Sequence, residues 1–102
     1  MGYYRCPARG CGYVTRSLQG LKRHYLIRHD GYCFVCDRHL RLQDALSRHC
    51  LHRVKVDPDD RLHAAQYYLS RSRRYLIKGT WKEQVYLFGL DALREVTGVE
   101  ER

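Results

Sequence analysis

The sequence has no apolar run approaching the roughly 20 residues that a membrane-spanning helix needs. Its opening residues, Met1-Gly2-Tyr3-Tyr4-Arg5-Cys6, lack the apolar segment of a secretory leader. Both absences lead us to expect an intracellular protein, in cytoplasm or nucleoid or in a eukaryotic nucleus, with no membrane partner. Acidic residues are scarce in the first half. Residues 1–56 hold 11 Lys/Arg against 3 Asp/Glu, whereas residues 57–102 hold 8 of each. The entire formal charge of +8 therefore sits on the first half and points to a polyanionic partner there, most naturally nucleic acid. A single large core is not expected either. With 102 residues arranged in short units, burial alone is insufficient and metals or partners are expected to contribute.

Cysteine is what the chain does have. Four of the five cysteines form two close pairs, Cys6/Cys11 and Cys33/Cys36, each followed by histidines, and Cys50 is left over. In a reducing compartment this pattern reads as metal ligation and not as a disulfide framework. A repeat offset by 25 residues aligns 11–24 with 36–49, pairing Cys11 with Cys36, Leu21 with Leu46 and His24 with His49. The units are 1–31 and 32–56, and residues 57–102 make a third part. There, Asp57 as N-cap and Pro58 in the first turn predict a helix start. Leu62, Ala65, Leu69, Ser72 and Leu76 form its stripe, and Gly79 its end. Thr80-Trp81-Lys82-Glu83 opens a second helix as a capping box, with Gly98 as terminator. The expected fold is small α+β: two ββα units followed by a C-terminal helical hairpin over 57–98. That hairpin either packs on the units or forms a homodimer as a four-helix bundle.

Unit one offers Cys6-x4-Cys11-x12-His24-x4-His29. Two thiolates on a hairpin and two imidazoles near the end of a helix supply a tetrahedral zinc set. The five-residue histidine separation exceeds one turn, so the last turn is expected to loosen. Unit two offers Cys33-x2-Cys36-x12-His49-x2-His52, with a histidine spacing shorter than usual. Residues three apart share a helix face, so His52 is favoured as fourth ligand over Cys50 or an open site. His39 and His63 read as surface or packing histidines. Few carboxylates lie near these ligands, which argues against a catalytic zinc and for two structural Zn2+ ions in a protein that is not an enzyme.

These ligand sets resemble the tandem C2H2 zinc-finger family. Leu21, Leu40 and Leu46 match its core positions, while Thr15 replaces the usual aromatic and leaves Tyr4, Tyr13 or Val14 to compensate. By size and layout the chain is similar to the small two-finger proteins of archaeal viruses and their hosts. The resemblance implies base-facing helix positions: Ser17, Gly20 and Arg23 in unit one, Leu42, Ala45 and Arg48 in unit two, with Gln19 and Asp44 beside them. Only Arg23 and Arg48 of the six can make a bidentate guanine contact. Arg16, Lys22 and Arg41, with Arg5, Arg9, Arg28, Arg38, Arg53 and Lys55, are phosphate-contact candidates. The three-residue connection Asp30-Gly31-Tyr32 is shorter than that of DNA-wrapping finger arrays, so the units are expected to pack as one rigid body. Double-stranded DNA bound with modest base specificity, by a transcriptional regulator, is the leading expectation. RNA, with Tyr3, Tyr4, Tyr13, Tyr25 and Tyr32 as stacking platforms, and a protein partner are the alternatives.

Overall fold

The computed structural model describes residues 2–40 and 43–100. A two-strand hairpin, β1 (Gly2–Arg5) and β2 (Val14–Thr15), leads into α1 (Leu18–Arg28). A second, β3 (Tyr32–Cys33) and β4 (Arg38–His39), leads into α2 (Gln43–Val56). Then come α3 (Arg61–Ser70), a short 3-10 turn (Arg73–Tyr75), α4 (Trp81–Thr97) and β5 (Gly98–Glu100). The result is a small α+β protein with two antiparallel sheets and a helical hairpin of α3 and α4. No helix of the described residues is long and apolar enough to cross a membrane.

Local chemistry explains most helix ends. The Ser17 hydroxyl accepts from the Gly20 N–H at 3.2 Å and starts α1. At α4, Thr80 Oγ1 accepts from the Glu83 N–H, and Glu83 reaches back to the Gly79 N–H at 2.9 Å, one residue earlier than a standard capping box. Gly79 has φ +83°, the left-handed geometry expected of it, but it lies in the turn before α4 rather than at the end of α3.

The start of α3 differs from the sequence expectation. Asp57 spends its side chain on the Asp59 N–H at 3.1 Å and its carbonyl on the Asp60 N–H at 3.0 Å, so 57–60 forms a turn. The cap is Asp60, whose carboxylate accepts from the His63 N–H at 3.0 Å. The helix also ends early. The Ser70 hydroxyl donates to the carbonyls of Gln66 and Tyr67 at 2.9 and 3.3 Å, competing with the ladder there, and Arg71 is extended.

The expected one-sided stripe on α3 is absent for a physical reason: α3 packs against α1, α2 and α4 at once. Every residue from His63 to Ser70 is buried, and only the first turn, with Leu62, is exposed. The two repeated units are therefore joined through α3. Gln66, fully buried, accepts from the Tyr25 hydroxyl of α1 at 2.9 Å and from the Phe34 N–H after β3 at 3.0 Å. On α4, Trp81, Leu87 and Val96 remain exposed.

β5 was not anticipated. It pairs antiparallel with β1, setting Tyr4 opposite Gly98 and Gly2 opposite Glu100, so the three-stranded order is β2-β1-β5. Gly98 still caps α4 through its N–H to the Arg94 carbonyl, with φ −66°, and the chain leaves it extended rather than left-handed.

α3 and α4 cross closely at Gly89, where an added Cβ would overlap the backbone carbonyl of Ala64. Because a carbonyl of a packed helix cannot rotate away, Gly89→Ala should destabilise the protein by about 3 kcal/mol. Chemical denaturation would check this; an unchanged midpoint would show that the crossing is loose.

Candidate metal centres

Two groups of side chains are placed to hold metal ions. Cys6, Cys11, His24 and His29 form one; Cys33, Cys36, His49 and His63 form the other. Within each, the ligand atoms all lie within 4.8 Å of one another.

The first group is built from the β1–β2 hairpin and α1. The turn between its cysteines is closed by the Cys6 N–H to the Tyr13 carbonyl at 2.9 Å and the Cys11 N–H to the Ala8 carbonyl at 3.1 Å. Gly10, at φ +74°, makes that turn feasible. Leu21, on the same helix as His24, is fully buried in the core. His24 presents Nε2 to Cys11 Sγ at 3.3 Å. His29 reaches the same point from the C-cap of α1, where the backbone has left helical geometry. The last turn does not loosen: the His29 N–H still bonds the Tyr25 carbonyl at 2.8 Å, four residues back. The extra residue in the histidine spacing is absorbed by the cap.

The missing core aromatic is replaced from two sides. Tyr4 packs on the core, and the Tyr13 ring stacks on His24 with centroids 3.9 Å apart. Val14 is exposed. Burial pushes the Cys6 thiol up to about 12 and lowers His24 and His29. All three groups are thus held neutral, and a metal must displace thiol protons to bind.

The second group departs from the sequence expectation at one ligand. Cys36 Sγ lies 3.4 Å from His49 Nε2 and 3.2 Å from His63 Nε2. His52 is exposed and outside the group. The reason is the rotation of α2. Leu46, Cys50 and Val54, spaced by four, are its buried stripe. At 100° per residue His52 points about 200° away from Cys50, to solvent. The vacant corner is filled by α3, which carries His63 in over the cysteines.

Asp60 completes the arrangement. Its carboxylate takes the His63 Nδ1–H at 2.8 Å, which leaves Nε2 free to face the thiols. Burial pulls the His63 pKa down, but its bonds to Cys33 and Asp60 outweigh this and hold it above the usual value. Cys50, fully buried, is neither ligand nor spectator. Its thiol donates to Cys33, which lowers Cys33 and raises Cys50. The sequence signals for this set were an acid three residues before His63 and the Leu46–Cys50–Val54 spacing.

The positions proposed for nucleic acid are more dispersed. Arg23 and Gln19 are exposed on α1. Lys22 is not a surface residue: it is 7% exposed, donates to the Tyr86 hydroxyl at 2.7 Å and lies 4.4 Å from the Tyr68 ring centroid. Burial lowers its pKa to about 8. The Ser17 hydroxyl is engaged in capping α1. Arg16 bonds the Tyr3 hydroxyl at 2.8 Å. Arg48 pairs with Asp44 at 2.6 Å on exposed α2. Arg41 and Leu42 lie outside the described residues. Of the tyrosines offered as stacking platforms, Tyr25 is fully buried; Tyr3, Tyr4 and Tyr32 are half-buried; Tyr13 is exposed.

No family model, curated protein or solved structure matches the chain.

Asp60→Asn keeps a competent helix cap but puts an amide against the His63 Nδ1–H. It should weaken metal binding at the second group by about 10–100-fold and leave the first unchanged. Competition with a chromophoric chelator would resolve the two sites; equal affinities in both proteins would remove Asp60 from the site.

Proposed function

We propose that the protein is a two-zinc, C2H2-finger-like nucleic-acid-binding module that binds duplex DNA mainly through its backbone and acts as a regulator of transcription. The observation that carries this reading is the pairing of two Cys2His2 groups, each joining a strand hairpin to helical residues, with a +8 charge confined to residues 1–56, which hold seven of the eight ligands.

Zinc suits both groups. Two thiolates and two imidazoles are its preferred structural set. The sulfur–nitrogen separations of 3.2–3.4 Å are close to the edge, about 3.5 Å, of a tetrahedron built on ordinary Zn–S and Zn–N lengths. Four protein ligands close the coordination sphere, which favours a structural ion over a catalytic one. Because such a ligand set is assembled only in the fold, a bound metal is a source of folding energy.

Backbone binding is favoured over base reading by the state of the helix side chains. Ser17 is spent on its cap, Lys22 is buried, and Arg48 is tied to Asp44. Of the base-facing candidates on α1, Arg23 and Gln19 remain exposed. The exposed arginines Arg5, Arg9, Arg28, Arg38 and Arg53 supply phosphate contacts. Burial of Tyr25 removes one of the platforms that supported RNA.

Gel-shift binding to duplex DNA should fall steeply with salt, about 10³-fold or more between 50 and 200 mM if six or more phosphates are contacted. It should also be lost on chelation and return with zinc. Binding insensitive to both treatments would refute the reading.

A further inference from the structure

A cavity of about 680 Å³ opens between α1, the 3-10 turn and α4, away from both metal groups. Its cations come from three separate segments: Lys22 and Arg23, Arg73 and Arg74, and Arg94. No Asp or Glu lies in its wall, and none of the five makes an ion pair with a carboxylate among the described residues. Elsewhere the same elements pair such charges: Arg61 pairs with Glu95, on the same helix as Arg94.

The floor is the most demanding part. Among the described residues, the buried Lys22 ammonium has the Tyr86 hydroxyl, at 2.7 Å, and the faces of Tyr68 and Tyr86, at 4.4 and 4.5 Å, to stabilise it. A buried cation without a counter-ion is costly, and desolvated aromatic faces offset that cost only in part. Four guanidinium groups line the same opening. An anion of more than one negative charge would relieve that cost, and guanidinium forks match phosphate oxygens. Leu18, Leu26, Ile27 and Leu90 give the rest of the wall an apolar part, beside the uncharged polar Gln19 and Ser72. The volume falls within the range of about 300–1,000 Å³ typical of small-molecule sites, far more than a phosphate alone would fill.

We propose that this cavity binds a nucleoside phosphate, with its phosphates against Lys22 and the arginines and its base against the apolar wall. Such a group is carried either by a free nucleotide or by the phosphorylated end of a nucleic-acid strand. The strand-end case rests on the nucleic-acid reading above; the free-nucleotide case does not.

Calorimetric titration of the zinc-loaded full chain tests this with ATP, adenosine and inorganic phosphate as probes. ATP should bind, with adenosine and phosphate each at least tenfold weaker. Arg73→Ala combined with Arg94→Ala removes two exposed rim charges and should weaken ATP at least tenfold with an unchanged thermal melt. Lys22→Met, which keeps the aliphatic stem, should do the same if it folds, whereas Arg48→Ala, outside the cavity, should not. Displacement of ATP by a 5′-phosphorylated oligonucleotide but not by its 5′-hydroxyl form identifies the strand end as the source; displacement by neither identifies the free nucleotide. Absence of ATP binding, or ATP binding indifferent to the rim double variant, overturns the proposal. Duplex binding in the gel shift without ATP binding would overturn the cavity alone, and ATP binding without duplex binding would overturn the earlier reading alone.

Discussion

The contact on which the structure depends is the one between His63 and the Cys33/Cys36 pair. It ties α3 to the second hairpin at the point where a metal would sit. Once that end is fixed, the rest of α3 runs through the middle of the molecule. Gln66 then meets Tyr25 and the Phe34 N–H, and Ala64 meets Gly89 of α4. A ligand that would otherwise hold one small unit together instead links that unit to the helical hairpin. A metal bound across two segments of sequence would also close a loop between them, which adds an entropic contribution.

Asp60 makes this economical. One carboxylate caps α3 through the His63 N–H and fixes the His63 ring through Nδ1. Helix nucleation and ligand orientation are thus one event, and the tautomer that the metal requires follows from the cap. Cys50 contributes from the other side, donating to Cys33 from a fully buried position. The second group therefore has an outer layer of two hydrogen-bonding partners. The first relies on packing, with Leu21 buried in the core and Tyr13 stacked on His24.

How much of this was legible in the sequence follows from how local each feature is. The first ligand group lies within one hairpin and helix, and its four residues were readable from spacing. The Thr80 cap was readable because a cap depends on a few adjacent residues. His63 was not, because it joins Cys36 from 27 residues away through the docking of a helix. The nearer His52 satisfied spacing alone. The rotation of α2 excluded it, and the Leu46, Cys50 and Val54 stripe already encoded that rotation. β5 escaped notice because three residues pairing with the other end of the chain leave no periodic trace. Lys22 looked like a surface cation because the tyrosines that bury it, Tyr68 and Tyr86, come from α3 and α4.

The central claim is that α3 supplies the fourth ligand of the second metal group. Native mass spectrometry of zinc-loaded His52→Ala and His63→Ala proteins tests it most directly. The account predicts two zinc ions retained in the His52 variant and one lost in the His63 variant. Loss of an ion from the His52 variant, with two retained in the His63 variant, would contradict it.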